Sequence, residues 1–231
     1  MRGWRGVTLG AMTIRTALAL ALAALGPAAR AGDVVGTVTF QGAPAPLPAA
    51  PVTKDGATCG ASQPDESLKV SPAGRVALAV VEVEGAPRPP PVRAALGQDR
   101  CRFAPHVQAV PAGSTLEVAN GDPILHSVRG WAGRRSRFEL ALASRGDRAE
   151  AALERPGVIQ VRCDVHAWMI AYVVVTAGPA AVSGDDGTFA VRGVPPGEYT
   201  VRAWHERLGE RTLRVTVPAE GAARADFSYG R

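Results

Sequence analysis

Histidine, cysteine and methionine are scarce in this chain, which has four, three and three of them among 231 residues. Four histidines are too few to build the several metal centres of a multinuclear enzyme. No second histidine follows His205 at four residues, which excludes the helical zinc-protease motif. The sequence also lacks any long amphipathic helical pattern after residue 31. Its short alternating strands, separated by Gly and Pro turns, predict an all-β protein.

The first 31 residues have the features of an export signal. They contain four arginines and no acidic residue, an apolar run at residues 16–25 that is short for a membrane span, and the small-x-small pattern Ala29-Arg30-Ala31. We therefore predict a signal peptide cleaved after Ala31 and a periplasmic or secreted mature protein with no membrane span after cleavage. An uncleaved anchor is the alternative, and Met12 is an alternative start of translation.

Most of the positive charge of the chain lies in this leader. The formal net charge is +5 for the whole chain, and removal of four arginines leaves +1 (5 − 4). A nearly neutral mature chain gives no reason to expect nucleic-acid binding. The 200 residues that remain (231 − 31) are enough for two small domains.

Three soft or borderline metal ligands lie within residues 163–169. Cys163 ends a predicted strand with alternating apolar residues, His166 lies in the following loop, and Met169 begins the next predicted strand. Methionine otherwise occurs only at positions 1 and 12, so the mature chain has a single one and it lies here. Two histidines and a cysteine with a weak axial methionine form the ligand set of a blue-copper site. This stretch therefore predicts a copper site that needs one more histidine.

His126 is the predicted fourth ligand. It follows a half-buried strand pattern at residues 114–119 and precedes Cys163 by 37 positions (163 − 126), which allows a separate loop at the same end of a sandwich. Zinc also binds cysteine and histidine, but a thioether favours copper. Four protein ligands leave no open position for a substrate, so we do not expect an enzyme.

Residues 98–178 resemble a cupredoxin domain of the amicyanin and plastocyanin group. The resemblance rests on residues 103–120, on His126, on residues 156–163 and on the Cys-x2-His-x2-Met spacing. It implies a Greek-key β-sandwich that binds one copper ion, as Cu(I) or Cu(II), through the ligands His126, Cys163, His166 and Met169. Ser127 departs from the family, in which an asparagine beside the first histidine usually ties the two ligand loops together.

Three cysteines in an exported protein leave one unpaired. With Cys163 assigned to the metal, Cys59 and Cys101 are predicted to form a disulfide. The alternative is a Cys101–Cys163 pair, which would abolish the site. Trp168, between two ligands, is predicted to keep water off the metal, with a partner-docking surface as the alternative. His106 is predicted to be structural, and a role behind the ligands or as an alternative ligand stays open.

The rest of the chain predicts a second, smaller β-sandwich. Residues 180–231 contain short alternating strands with a hairpin signal at residues 185–187 and a turn at residues 195–197. The stretch 189–203 resembles a carboxypeptidase regulatory-like (prealbumin-like) module, which usually begins with a strand like residues 36–40. The predicted organisation is a signal peptide at 1–31, a segment at 32–95 that packs with a module at 179–231, and a copper domain at 96–178 between them.

The predicted function is that of an exported mononuclear blue-copper protein that carries single electrons between redox partners. The partner expected is another redox protein, which the sequence does not identify. Two alternatives stay open, namely a periplasmic copper carrier or storage protein and a β-sandwich binding module with an accessory copper site. The lack of methionine-rich or histidine-rich runs disfavours the carrier.

Overall fold

The computed structural model describes residues 1–3, 6 and 31–230. The predicted signal peptide lies almost wholly outside these residues. The described part consists of strands and one short helix, which confirms the all-β prediction. Within these ranges no helix is long and apolar enough to cross a bilayer.

Nineteen strands and one helix follow one another within residues 31–230. Up to residue 132 the elements are β1 (Gly32–Phe40), β2 (Ala50–Pro51), α1 (Gly56–Cys59), β3 (Ser62–Gln63), β4 (Val80–Glu84), β5 (Arg93–Asp99), β6 (Arg102–Ala104), β7 (Val107–Pro111), β8 (Ser114–Asn120) and β9 (His126–Ala132). The remaining strands are β10 (Arg135–Leu142), β11 (Arg148–Leu153), β12 (Gly157–Cys163), β13 (Ile170–Thr176), β14 (Ala180–Val182), β15 (Thr188–Val194), β16 (Gly197–His205), β17 (Gly209–Val217), β18 (Ala222–Arg224) and β19 (Phe227–Tyr229).

Two sheets form the sandwich that contains the predicted ligands. One has the strand order β10-β9-β12-β13-β7 and the other β11-β8-β5-β6. Strand β12 shows how the sequence produces this packing, because Ile159, Val161 and Cys163 are buried while Arg162 points to solvent. The alternation has the period of two expected for a strand with one face in the core. These side chains belong to one apolar core shared by the two sheets.

A second pair of sheets is assembled from both ends of the described chain. One sheet has the order β15-β1-β18, with β19 also on β1, and the other has the order β14-β4-β16-β17. Strand β1 pairs antiparallel with β15, and β4 pairs antiparallel with β16. Strand pairing therefore joins segments that lie before and after the ligand-bearing sandwich in the sequence. The domain boundaries given above stay a prediction.

Gly36 in β1 lies where the C-terminal segment crosses this strand, and there is no room for a side chain at this position. A Cβ atom at Gly36 would lie 1.8 Å from the carbonyl oxygen of Ala225. Ala225 connects β18 to β19, and both of these strands pair in parallel with β1. The backbone of the C-terminal strands therefore crosses β1 at a distance that only glycine allows.

The predicted hairpin at residues 185–187 is wrong. Gly187 has a φ of 73°, as the turn signal suggests, but β14 pairs with β4 and β15 pairs with β1. The turn connects strands of two different sheets, because each strand has its partner elsewhere in the chain. Local turn chemistry explains the chain reversal here, whereas long-range pairing decides where each strand goes.

The two sandwiches meet through a small apolar cluster. Val80, Val107, Val174 and Trp204 are buried in it. The rings of Tyr172 and Trp204 lie 5.3 Å apart across this contact. As a result, the residues that follow β16 lie beside the loop at residues 163–169, which carries the predicted ligands.

Candidate metal centre

Three of the predicted ligands converge at one end of the first sandwich. The Sγ atom of Cys163 lies 3.7 Å from Nδ1 of His126 and 3.7 Å from Nδ1 of His166, and the two nitrogen atoms are 3.2 Å apart. The pairing of β9 with β12 accounts for this meeting, because Cys163 at the end of β12 is opposite Val128, two residues after His126. All three side chains are buried, and the two imidazoles have no solvent exposure.

The triangle has the size that a metal ion requires. An ion about 2.0–2.1 Å from each nitrogen and about 2.3 Å from the sulfur would set nitrogen–nitrogen separations of about 3.3–3.6 Å and nitrogen–sulfur separations of about 3.5–3.8 Å, for angles between tetrahedral and trigonal. The nitrogen–sulfur distances lie within this range and the nitrogen–nitrogen distance of 3.2 Å is just below it. These three residues therefore fit the ligand shell of one ion.

The far nitrogen of each imidazole is held by a carboxylate. Nε2 of His126 lies 3.0 Å from Oδ2 of Asp122, and Nε2 of His166 lies 2.9 Å from Oδ2 of Asp55. Because an ionised carboxylate only accepts, each Nε2 carries the proton, and each Nδ1 presents a lone pair to the other and to the cysteine. Two lone pairs facing each other in a dry pocket repel one another, and a cation between them removes this repulsion. Carboxylates behind metal-bound histidines commonly fix the ring in this way.

The environment of His126 favours the neutral imidazole. Burial is the main cause that lowers its pKa below the usual value, the hydrogen bond with Asp122 partly opposes this, and the nearby His166 lowers it again. A neutral imidazole has a free nitrogen lone pair, which is the form that binds a metal. The lowered pKa thus favours the metal-binding form of His126 near neutral pH.

A tight turn between β5 and β6 supports Asp122. The backbone N–H groups of Arg100 and Cys101 donate to its two carboxylate oxygens at 2.7 and 2.8 Å. Both turn residues have positive φ values, 46° and 58°, which directs their N–H groups to the same side. Asp122 and His126 are four residues apart, so the contact between this carboxylate and its histidine is local in sequence. The spacing of Asp122 before His126 is a signal that the sequence analysis did not use.

Asp55, which contacts His166, comes from a segment far away in sequence. It immediately precedes α1, and its carbonyl oxygen accepts hydrogen bonds from Thr58 and Cys59. Cys59 forms the predicted disulfide with Cys101, which fastens this segment to the turn that also supports Asp122. The segment covers His166 on the side away from the other ligands. No local pattern around Asp55 indicates this role, and the sequence analysis missed it.

The disulfide settles the pairing of the three cysteines. Cys59 and Cys101 are bonded, and Cys163 is free and buried. The alternative Cys101–Cys163 pair is therefore absent. Two further groups of possible ligand atoms, one around His166 and one around His126, use sulfur atoms of this disulfide. A disulfide sulfur is not a thiolate, so the group of His126, Cys163 and His166 is the one suited to a metal.

Met169 lies where the loop returns to the sandwich. Its side chain is 1% exposed and belongs to the same core cluster as Cys163. Its backbone N–H donates to the carbonyl oxygen of His166, and its carbonyl oxygen accepts from the N–H of Cys163. These two bonds close the loop tightly around the ligands. The axial role of Met169 stays a prediction.

The other residues singled out in the sequence have distinct positions. The Trp168 ring lies 5.2 Å from the His166 ring and donates from Nε1 to the carbonyl oxygen of Cys101, so it covers one side of this ligand. His106 lies apart from the triangle, with Nδ1 3.1 Å from the carbonyl oxygen of Ile170 and Nε2 against Glu206. His106 thus faces the second sandwich.

Ser127 takes part in a connection between the two ligand loops. Its carbonyl oxygen accepts from the Asp164 N–H at 2.9 Å, and its hydroxyl lies 3.4 Å from the Asp164 carboxylate. Serine in place of the asparagine usual in the family that the sequence resembles put the side-chain tie between these loops in doubt. In this chain the backbone provides a tie, and the carboxylate of Asp164 adds to it.

Comparisons with known proteins give partial likenesses only. No model of a protein family and no curated protein matches the chain. Among solved structures, a purple cupredoxin from Nitrosopumilus maritimus is 22% identical, with a TM-score of 0.33, over 36% of this chain and 99% of its own. Amicyanin from Paracoccus versutus is 16% identical, with a TM-score of 0.34, over 42% of this chain and 97% of its own.

A copper-containing nitrite reductase from Thermus scotoductus SA-01 is similar over a short part of its own length. It is 23% identical, with a TM-score of 0.34, over 40% of this chain and 24% of its own. Identities and TM-scores this low do not define what this chain does.

Proposed function

We propose that this chain is an exported mononuclear copper protein that carries single electrons between redox partners, one of them another redox protein. The observation that supports this proposal is the buried triangle of Nδ1 of His126, Nδ1 of His166 and Sγ of Cys163, with Met169 at the end of the same loop. Two imidazoles, a thiolate and a weak axial thioether are the ligands of a blue-copper site. Bound copper would supply the redox chemistry by changing between Cu(I) and Cu(II).

The chain's own part in this function is to hold the ligands still and dry. His126 begins β9 and Cys163 ends β12, so two paired strands fix their backbones. Asp122 and Asp55 fix the orientation of the two rings. Ligands that are fixed by other groups need little rearrangement when the charge of the site changes. With Met169 as the fourth ligand, the ion would have no open position for a substrate, which supports a carrier of electrons rather than an enzyme.

Two further parts of the proposal rest on the sequence. The N-terminal leader supports export to the periplasm or beyond, where the disulfide would persist. The second sandwich is proposed to be a carboxypeptidase regulatory-like module built from residues 32–95 and 179–231, without catalytic residues of its own. Zinc remains the rival metal for a cysteine and two histidines.

The visible absorption spectrum of the Cu(II)-loaded protein tests the proposal. We expect an intense thiolate-to-copper band, which Cys163→Ser abolishes and His106→Gln leaves in place, because His106 lies outside the triangle. Copper bound as Cu(I) without a band in the oxidised protein would instead support a carrier or storage protein. Preference for zinc, or no metal binding at all, would overturn the proposal and leave a β-sandwich binding module.

A further inference from the structure

A cavity of about 380 Å³ lies at the junction of the two sandwiches, beside the candidate metal centre. Trp168 and Met169 line it from the ligand loop, and Glu206 and Arg207 line it from the end of β16. Its volume is in the range of small-molecule sites, which lie between about 300 and 1,000 Å³. Side chains of the second sandwich and of the ligand loop therefore line the same cavity.

Aromatic rings form much of the cavity wall. Phe103, Trp168 and Tyr172 all line it, and the indole of Trp168 also lies 5.2 Å from the ring of His166. Aromatic walls favour a flat ring as the occupant, because stacked and edge-to-face pairs contribute beyond the area that they bury. A ring bound here would lie one side chain away from a predicted metal ligand.

The charges that line the cavity are offset in pairs. These pairs are Arg102 with Glu66 and Arg207 with Asp65. Glu206 in turn lies against the ring of His106, both nitrogens of which face acceptor oxygens. A cavity with matched charges does not attract an anion or a cation through its net charge. It therefore favours a neutral occupant over a carboxylate or an ammonium ion.

Glu206 provides the polar contact that orients such an occupant. Its side chain is 7% exposed, and its Oε1 atom is engaged by Nε2 of His106. Its second oxygen, Oε2, has no hydrogen-bond partner among residues 31–230. A carboxylate oxygen in the cavity wall without a protein donor is a strong acceptor for a hydroxyl group.

We propose that this cavity binds a small neutral aromatic molecule that carries a hydroxyl group, a ligand of the phenol class. The ring lies against Phe103, Trp168 and Tyr172, and the hydroxyl donates to Oε2 of Glu206. The site belongs jointly to the two sandwiches, which gives the second sandwich a function next to the metal centre. Binding at this cavity does not depend on the metal, so it goes beyond the proposed electron transfer.

The test is a titration of the metal-free full chain with phenol, benzylamine and benzoate, each in a separate experiment. Calorimetry measures the affinity, and NMR of the Trp168 indole N–H reports on binding at the cavity. We expect phenol to bind with a dissociation constant of about 1 mM or below, a realistic value for so small a ligand. Benzylammonium and benzoate should bind at least about tenfold more weakly, because each adds a charge to a balanced cavity. The Trp168 indole signal should shift with phenol in proportion to occupancy.

Two variants and a matched control locate the site. Glu206→Gln should weaken phenol binding about tenfold, since it removes a charge-assisted hydrogen bond. Ser67→Tyr, which fills the cavity from its rim, should abolish binding without changing the core. Glu198→Gln on the same strand β16 is exposed and should bind phenol as the unchanged chain does.

Failure of this proposal is separable from failure of the proposed function. If phenol does not shift the Trp168 signal, or if Ser67→Tyr binds it undiminished, the phenol site is wrong even when the copper band is present. Tighter binding of benzylammonium than of phenol would also overturn it, in favour of a cation site. Near-ultraviolet circular dichroism of each variant checks that the fold is retained, so a loss of binding is read only from folded protein.

Discussion

Each of the two histidines of the candidate centre is held by a carboxylate, but the two carboxylates lie at very different distances along the chain. His126 has its carboxylate four residues before it, in Asp122, whereas the carboxylate of His166 is Asp55, which is 111 residues away. Asp122 is buried and fastened by two backbone N–H groups, whereas the Asp55 side chain is 32% exposed and depends on a disulfide for its position. One half of the site is therefore local and the other is assembled from distant segments.

Because the two halves are held differently, we expect the His126 half to resist changes elsewhere in the chain and the His166 half to be easier to disrupt. The turn at residues 100–101 belongs to both halves, because its N–H groups bind Asp122 and its Cys101 anchors the segment of Asp55. A change in the disulfide should loosen the His166 half while leaving the His126 half in place. A change at Asp122 should affect the turn itself.

The largest expected effect is the loss of the disulfide. The double variant Cys59→Ser/Cys101→Ser should lower the free energy of unfolding of the metal-free protein by about 4 kcal/mol, because the bond closes a loop of 42 residues. Guanidinium unfolding measures this. NMR of the ring N–H groups should show that the His166 signal is lost and the His126 signal is kept, and equal loss of both would contradict two separate halves.

Asp122→Ala is expected to lower the free energy of unfolding by about 3 kcal/mol, because it leaves the buried N–H groups of Arg100 and Cys101 without an acceptor. Denaturant unfolding of the metal-free protein is the measurement. Asp164→Ala is the control, since its carboxylate is 43% exposed and pairs with Arg129 at the surface, which is worth about 1 kcal/mol or less. Equal effects of the two variants would mean that Asp122 is not structural.

A third buried histidine, His205, has no carboxylate partner among residues 31–230 and differs from both site histidines in this respect. Burial lowers its pKa to about 4, with the nearby His106 acting in the same direction. The unfolded chain binds the proton near pH 6.5 and the folded chain does not, so stability should fall as pH drops from about 6.5 to about 4. The loss should reach about 2–3 kcal/mol at the acid end.

Unfolding of the unchanged chain and of His205→Gln at pH 7 and at pH 4.5 measures this loss. The stability difference between these two proteins should shrink at the lower pH, because glutamine takes up no proton. A difference that stays constant across this range would exclude His205 as the source of the acid sensitivity.

The smallest expected effect belongs to Asp55. Asp55→Ala should weaken metal binding about 10–100-fold, as is usual when a carboxylate behind a histidine ligand is removed. Its effect on stability should stay below about 1 kcal/mol, because the side chain is partly exposed. Competition against a chelator measures affinity, with Asp99→Ala, a largely exposed carboxylate on β5, as the control. If both variants bind the metal equally well, Asp55 does not position His166.

The strand patterns of the sequence are strong enough to predict much of the first sandwich. The alternation of Ile159, Val161 and Cys163 places the thiol in the core, and the Cys59–Cys101 disulfide follows once Cys163 is assigned to the metal. The prediction of a hairpin at residues 185–187 is wrong because the two flanking strands pair with β4 and β1. Partners so far away in sequence cannot be recognised from the local pattern. Short-range patterns therefore predict strands better than they predict sheets.

The sequence alone is enough to single out the candidate metal ligands, because few side chains of suitable chemistry are present and three of them lie within seven positions. Tertiary structure alone decided what surrounds them. Asp55 reaches His166 only because a disulfide fastens α1 to the turn at residues 100–101, and Glu206 reaches the cavity beside Trp168 only because the two sandwiches pack together. The physical reason is that ligand identity is a property of single residues, whereas orientation, burial and shared cavities arise from contacts between segments far apart in the chain.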